Sequence, residues 1–309
     1  MNDADVKAEI LESINRDKED ILTYLSALIA AGGEILLTGK EFSLEFITFY
    51  SALAYDFCKT VKENYNYGPE ITIKQPEDKR CNRYYVVNMP SKITKQLLKD
   101  TKIMVADDNG EVKTINFGVS PIGKRDDKQF GNYIKGLFLA CGKVFIYEGN
   151  YLVEMSLPNA DFAEEIASML TKYDIICGQS YKGDKVVLSI KAGEMVGNFL
   201  ALCGASDSSL ELINILIRRD ISNNINRQAN CEVANSDRNA TAAVQQVRAI
   251  LALIEKGSMD KLSDELREVA EFRIANPNMS LAALAERFEL SKSGLSHRMK
   301  RIIKLSEEL

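Results

Sequence analysis

Tyr24–Ile35 reads YLSALIAAGGEI, and 109 residues further on Tyr133–Val144 reads YIKGLFLACGKV. Tyr24 matches Tyr133, Leu28 matches Leu137, Ala31 matches Ala140 and Gly33 matches Gly142. The register continues into FSLEF (Phe42–Phe46) and YLVEM (Tyr151–Met155), where Glu45 meets Glu154. Self-similarity at a fixed offset implies a duplicated unit. Both copies are dense in small residues: Ala27, Ala30, Ala31 and Gly32 in the first, Gly136, Ala140 and Gly142 in the second. Such faces let helix backbones approach closely, so the pattern predicts a tight, pseudo-symmetric helix pair at the join between the units. An ordinary alanine-rich core helix is the alternative.

The flanking sequence repeats the same order of elements. A helix over 19–32 or 130–141 leads into strands at 34–38 and 42–48, or at 143–148 and 150–156. A second helix follows, 50–63 or 160–172. Another strand pair comes next, 70–75 and 83–89, or 174–180 and 184–190. Helices 91–99 and 193–204 close the units. Lys182-Gly183-Asp184 lies between two β-rich runs, a hairpin signal. The expectation is an α+β domain over 1–205, built from two αββαββα units at about 19–100 and 130–205.

Beyond Ala205 the strand signals stop. Residues 206–257 read as a polar, asparagine-rich helical connector, with Ala243, Val247, Ile250 and Ile254 on one face of a helix over 237–256. Arg218, Arg219, Arg227 and Arg238 are its candidates for contact with phosphates or a partner. Residues 258–309 read as a separate all-α domain. A helix over 260–275 carries Leu262, Leu266, Val269, Ala270 and Ile274, and Asn276-Pro277-Asn278 breaks it. Ser280 suits the N-cap of a short helix with Leu281, Leu284, Ala285 and Phe288 on one face. After a turn through Glu289-Leu290, Ser291 caps a last helix whose Leu295, Met299 and Ile302 face inward. That order is a helix-turn-helix. Rotation by about 100° per residue puts Ser293, His297, Lys300 and Lys304 opposite the apolar side, with Ser296 and Arg301 at its borders. With Ser280, Ser291, Lys292 and Arg298, these are the candidate DNA contacts: hydroxyls and an imidazole for base edges, cations for phosphates. Two positions depart from the common pattern, Glu289 where a turn glycine is usual and Arg298 where an apolar residue is usual. A plain helical hairpin with a basic end is the alternative.

Charge separates the two parts. The 309-residue chain has a net charge of −5, but residues 1–217 hold 24 basic and 31 acidic side chains while 218–304 hold 15 and 11. Residues 291–304 carry Lys292, Arg298, Lys300, Arg301 and Lys304 and no acid, a local field suited to phosphate contact. The charged N-terminus lacks a signal-peptide pattern, and the apolar stretch Ile21–Leu37 is too interrupted to span a bilayer. The six cysteines, at 58, 81, 141, 177, 203 and 231, form no CxxC pair, and His297 is the one histidine. A zinc site is therefore not expected, nor any other cofactor, and reduced thiols in a cytoplasmic protein are.

The αββαββα unit used twice resembles the LAGLIDADG homing-endonuclease fold. The motif lies over Leu25–Gly33 and Ile134–Gly142. The resemblance implies that its penultimate residues should be metal-binding acids, and here they are Gly32 and Cys141. Neither supplies the hard carboxylate oxygen that magnesium-assisted hydrolysis needs. Glu34, two residues past Gly32, has Lys143 as its counterpart. Both parts in this order resemble the WhiA family, most specifically over NRQANCEVAN (Asn226–Asn235) and SKSGLSHR (Ser291–Arg298). That resemblance implies a non-catalytic, sequence-specific regulator of transcription. The implied processes are sporulation, cell division and chromosome segregation. Its partner would be double-stranded DNA at the nucleoid, without a membrane. Two alternatives stay open: a module that docks the transcription machinery or another regulator, and a residual nuclease.

Overall fold

The computed structural model describes residues 2–38, 41–76, 82–106, 112–147 and 149–308. Cys81 and Glu148, the latter the expected end of a strand, lie outside the described residues. The chain divides into two compact units, one ending at Arg218 and the other beginning at Arg219.

The first unit is organised by α2 (Lys18–Gly32) and α5 (Asp127–Cys141), the helices that open the two repeats. They pack against each other, and Gly136 shows why the small residues are needed. A Cβ there would lie 2.7 Å from the Tyr24 carbonyl and 2.9 Å from the Ala27 Cβ. The expected helix pair is therefore present, with backbone against side-chain-free backbone. Buried polar groups fix its register. Gln129 Nε2 donates to Asp20 Oδ1 (2.7 Å), Thr23 donates to Gln129 Oε1, and the Ser26 and Ser120 hydroxyls meet at 2.9 Å. Burial pushes the Asp20 carboxyl up, but bonds from Lys128, Gln129 and Asn15 outweigh it and hold the pKa below its ordinary value.

Each helix leads into a four-stranded antiparallel sheet. The first contains β1 (Gly33–Thr38), β2 (Glu41–Thr48), β3 (Ile71–Lys74) and β4 (Tyr84–Met89), in the order β1-β2-β4-β3. The second contains β7 (Gly142–Tyr147), β8 (Asn150–Leu157), β9 (Gly178–Lys182) and β10 (Lys185–Ile190), in the order β7-β8-β10-β9. Period-two alternation gives each sheet one apolar face. On β8, Tyr151, Val153, Met155 and Leu157 are buried and the residues between them are not. Helices α3 (Ser51–Tyr65) and α4 (Ser91–Asp100) complete the first repeat, α6 (Ala160–Leu170) and α7 (Gly193–Leu202) the second. Phe46 stacks on Phe57 at 4.4 Å, and Phe138 meets Phe199 edge-on at 5.5 Å. The expected hairpin at Lys182-Gly183-Asp184 is present, with Gly183 at φ 61°, where a side chain would be strained.

Two elements go beyond the sequence reading. Helix α1 (Asp3–Glu12) was hidden by its charge: Val6 and Ile10, one turn apart, are its fully buried apolar residues, and an Asn2–Asp5 capping box starts it. A small ribbon, β5 (Met104–Ala106) with β6 (Val112–Ile115), lies between the repeats.

Residues Ser206–Glu255 form one 50-residue helix, α8, rather than a connector followed by a separate helix. Glu9 caps its start by accepting from the Asp207 amide (2.6 Å) and the Ser208 hydroxyl (2.6 Å). Near its end the buried side is Gln246, Ala249, Ile250 and Leu253. This corrects the expected face: Ile254 is 47% exposed, and Ala243 and Val247 are half-buried. The expected stripe was rotated by about one residue because Gln246 takes a buried place that apolar spacing could not assign. In the second unit Ile250 and Leu253 pack with α9 (Asp264–Ala275), α10 (Leu281–Arg287) and α11 (Lys292–Glu308). A short 3₁₀ turn, Met259–Lys261, takes the first residues expected in α9.

Candidate nucleic-acid interface

The second unit presents the strongest candidate surface, assembled by two caps and a strained turn. Ser280 Oγ accepts from the Ala283 amide at 3.1 Å and starts α10. Ser291 Oγ accepts from the Gly294 amide at 3.1 Å and starts α11. Between them Glu289 adopts φ 52°, the left-handed conformation for which glycine is usual, and the Leu290 amide donates to the Ala285 carbonyl at 2.9 Å. Ala285, 2% exposed, has no side chain beyond Cβ to separate the helices at this crossing.

Leu295, Met299 and Ile302 are buried, which fixes the rotation of α11 about its axis. Ser293, His297, Lys300 and Lys304 are exposed on the opposite side, with Arg301 beside them and Ser296 half-buried at the border. Ser280, Ser291 and Lys292 are exposed at the helix starts, where free backbone N–H groups favour phosphate oxygens. Lys304 also pairs with Glu308 at 3.5 Å, a surface pair of little energetic weight. Arg298 is placed differently. It is half-buried and pairs with Glu265 of α9 at 3.0 Å, bracing α11. The position at which an apolar residue was usual therefore remains a packing position.

Arg273 was missed. Its side chain is 2% exposed, and Nη1 donates to the Met279 carbonyl in the loop between α9 and α10. Burial lowers its pKa. Its spacing from Val269 and Ala270 was the available signal, since both mark the buried stripe.

On α8, Arg218, Arg219, Arg227 and Arg238 are all exposed. Arg218 belongs to the first unit and the other three to the second. Arg227 and Arg238 share a side of the helix, about 20° apart at ~100° per residue. Arg219 is about 80° from Arg227, so the three do not form one row.

In the first unit the faces of the two sheets turned away from the core differ in charge. The first carries Glu34 directly opposite Glu45, with Glu41 and Lys74 on the same side. The second carries Lys143 opposite Glu154, with Lys182 and Lys185 opposite each other. Gly32 and Cys141 end α2 and α5. A Cβ on Gly32 would lie 3.0 Å from the Phe46 ring and 3.2 Å from the Ile47 carbonyl, so a side chain there would crowd both. Cys141 Sγ donates to the Leu137 carbonyl at 3.2 Å, and burial pushes the thiol pKa up to about 12. A protonated, soft sulfur and an absent side chain do not fit the hard divalent cation that the nuclease fold implies. Among the described residues no three His, Cys, Asp or Glu side chains are placed to hold a metal ion. Among the same residues no helix is long and apolar enough to cross a membrane.

Comparison with known proteins places all three parts of the chain. Residues 18–104 match the WhiA N-terminal LAGLIDADG-like domain, 130–222 the WhiA LAGLIDADG-like domain, and 225–306 the WhiA C-terminal HTH domain. A probable cell division protein WhiA of Clostridium acetobutylicum is 32% identical over 98% of this chain and 96% of its own length. Its namesake in Clostridium novyi is 31% identical over the same shares. The crystal structure of full-length DUF199/WhiA from Thermatoga maritima shares the fold, with a TM-score of 0.60 at 22% identity, covering 99% of this chain and 98% of that one.

Proposed function

The chain belongs to the WhiA family, and on that footing we propose that it is a non-catalytic, sequence-specific regulator of transcription acting on double-stranded DNA at the cytoplasmic nucleoid. The observation that carries this reading is the exposed side of α11: a hydroxyl and an imidazole toward its N-terminus with a second hydroxyl at the border, then three cations, over a fixed apolar base. Ser293, Ser296 and His297 face the base edges. Ser280, Ser291, Lys292, Lys300, Arg301 and Lys304 hold phosphates, and Arg227 and Arg238 add backbone contacts from α8. Arg298 acts through its hold on Glu265. The relatives' naming as cell division proteins suggests the genes concerned, and sporulation and chromosome segregation belong to the same reading. The domain limits proposed are 1–205, 206–257 and 258–309.

Selection of bound sequences from a random duplex pool by the full chain tests this. A defined motif is expected. Replacing Ser293, Ser296 and His297 together by alanine should blur that motif, each good base contact being worth about 1–3 kcal/mol of discrimination. A motif unchanged in the triple variant would remove these side chains from recognition.

Absence of cleavage is part of the proposal. With magnesium or manganese present, the selected duplex should stay intact over long incubation, because Gly32 and Cys141 supply no carboxylate. Chelator-sensitive cutting at the bound sequence would restore the nuclease reading. A second reading, docking of a protein partner by the first unit, is favoured by the glutamates of its first sheet, Glu34, Glu41 and Glu45, which would repel a phosphate backbone.

A further inference from the structure

In the first unit a cavity of about 470 Å³ opens where the segment joining the repeats crosses the start of α2. That volume is within the range of small-molecule sites, about 300–1,000 Å³. Leu22, Pro121 and Ile122 give it an apolar wall. Lys18, Lys102 and Arg125 line the rest, with the carboxylates Glu19 and Asp100 among them.

The cations are not equivalent. Arg125 pairs with Glu19 and with Asp126, so its charge is committed and its position is fixed. Lys18 and Lys102 make no ion pair among the described residues. Lys102 follows α4 at φ 57°, a left-handed conformation rare for a lysine. Comparison of the repeats adds a local asymmetry. Asp126 caps α5 by accepting from the Gln129 amide at 2.8 Å. Its counterpart Asp17 accepts instead from Asn15 Nδ2 at 2.9 Å, and among the described residues no side chain caps α2. The first-turn amides of α2 therefore stand beside the cavity with the two uncommitted lysines. An anion there meets two cations and helix-start N–H donors, an apolar body meets the Leu22–Ile122 wall, and hydroxyl or amino groups meet the Asp100 carboxylate.

We propose that this cavity binds a phosphate-bearing small molecule with a flat apolar body, of the nucleoside monophosphate class, on the first unit and away from α11. The proposal does not rest on the DNA reading, and it is tested with no DNA present. The full chain is titrated calorimetrically with adenosine monophosphate, inorganic phosphate and adenosine in separate arms. Saturable binding of the nucleotide is expected, tighter than that of either fragment. Lys18→Ala with Lys102→Ala should weaken it at least about tenfold, the drop expected for charge-assisted bonds. Both lysines are exposed, so the variant should melt as the parent does. Lys182→Ala with Lys185→Ala, on the second sheet, should leave the affinity unchanged. No saturable binding at millimolar nucleotide, equal binding of phosphate alone, or affinity indifferent to the removal of Lys18 and Lys102 would each overturn the proposal.

Discussion

The two repeats of the first unit share a core and differ wherever that core meets solvent or a function. Gly136 and Ala27 bring α2 and α5 together, and Leu28 and Leu137 are both fully buried. At the periphery the equivalences fail. The hydroxyl of buried Tyr24 donates to Asp56 at 2.9 Å. Among the described residues no bond of proper geometry reaches that of Tyr133, which stands near the Ser120 backbone. Asp126 caps its helix and Asp17 does not. Glu34 opposes Glu45 in one sheet, and Lys143 opposes Glu154 in the other. Packing keeps the duplication legible while charge differs between the two copies. On the function proposed above, DNA recognition then falls to the second unit.

This contrast can be probed with one signal, because all twelve tyrosines precede Arg218 and the chain has no tryptophan. Tyrosine fluorescence during urea unfolding therefore reports on the first unit. The largest effect is expected for Gly136→Val, which forces a side chain against the Tyr24 carbonyl and should cost about 3 kcal/mol. A neutral result would mean that the helix pair is looser than described. Next is Tyr24→Phe, expected to cost about 2 kcal/mol by removing a buried bond to a carboxylate, against about 0.5 kcal/mol or less for Tyr133→Phe. Equal costs would erase the asymmetry.

Smaller again is the cap. Asp126→Ala should lower the unfolding midpoint at neutral pH, whereas Asp17→Ala should leave it unchanged. The bond from the Gln129 amide holds the Asp126 carboxyl below its ordinary range. Its contribution is therefore present above that range and is lost as pH falls through the lowered value, so the two variants should converge in acid. The smallest effect is that of Glu34→Lys, which recreates the Lys143–Glu154 pairing in the first sheet and should stabilise by about 0.5 kcal/mol.

What the sequence revealed follows the same division between packing and charge. Repeat register, period-two strands and the 3.6-residue stripes of α10 and α11 were readable because burial imposes them on apolar residues. The fold class and both sheets came from that signal, and the two helix-turn-helix caps from the preference of serine for helix N-caps. The misses were of charged groups, whose burial depends on a partner that apolar periodicity does not register. Arg273 is a core residue because the Met279 carbonyl receives it, and Arg298 is half-buried because Glu265 does. Helix α1 was masked by charged residues that face solvent around Val6 and Ile10. The cavity beside Lys18 and Lys102 joins segments far apart in the chain, and no local pattern marks it.

If the exposed side of α11 holds DNA, as proposed, its cations should set the salt dependence of binding. Affinity of the full chain for its selected duplex, measured across a salt series, tests this directly when Lys300→Ala and Arg301→Ala are combined. The prediction is weaker binding to all sequences and a salt slope shallower by about one unit for each phosphate no longer neutralised. An unchanged slope and affinity would contradict the proposal and move the phosphate-binding groups away from α11, to Arg227 and Arg238 or to the lysines of the second sheet.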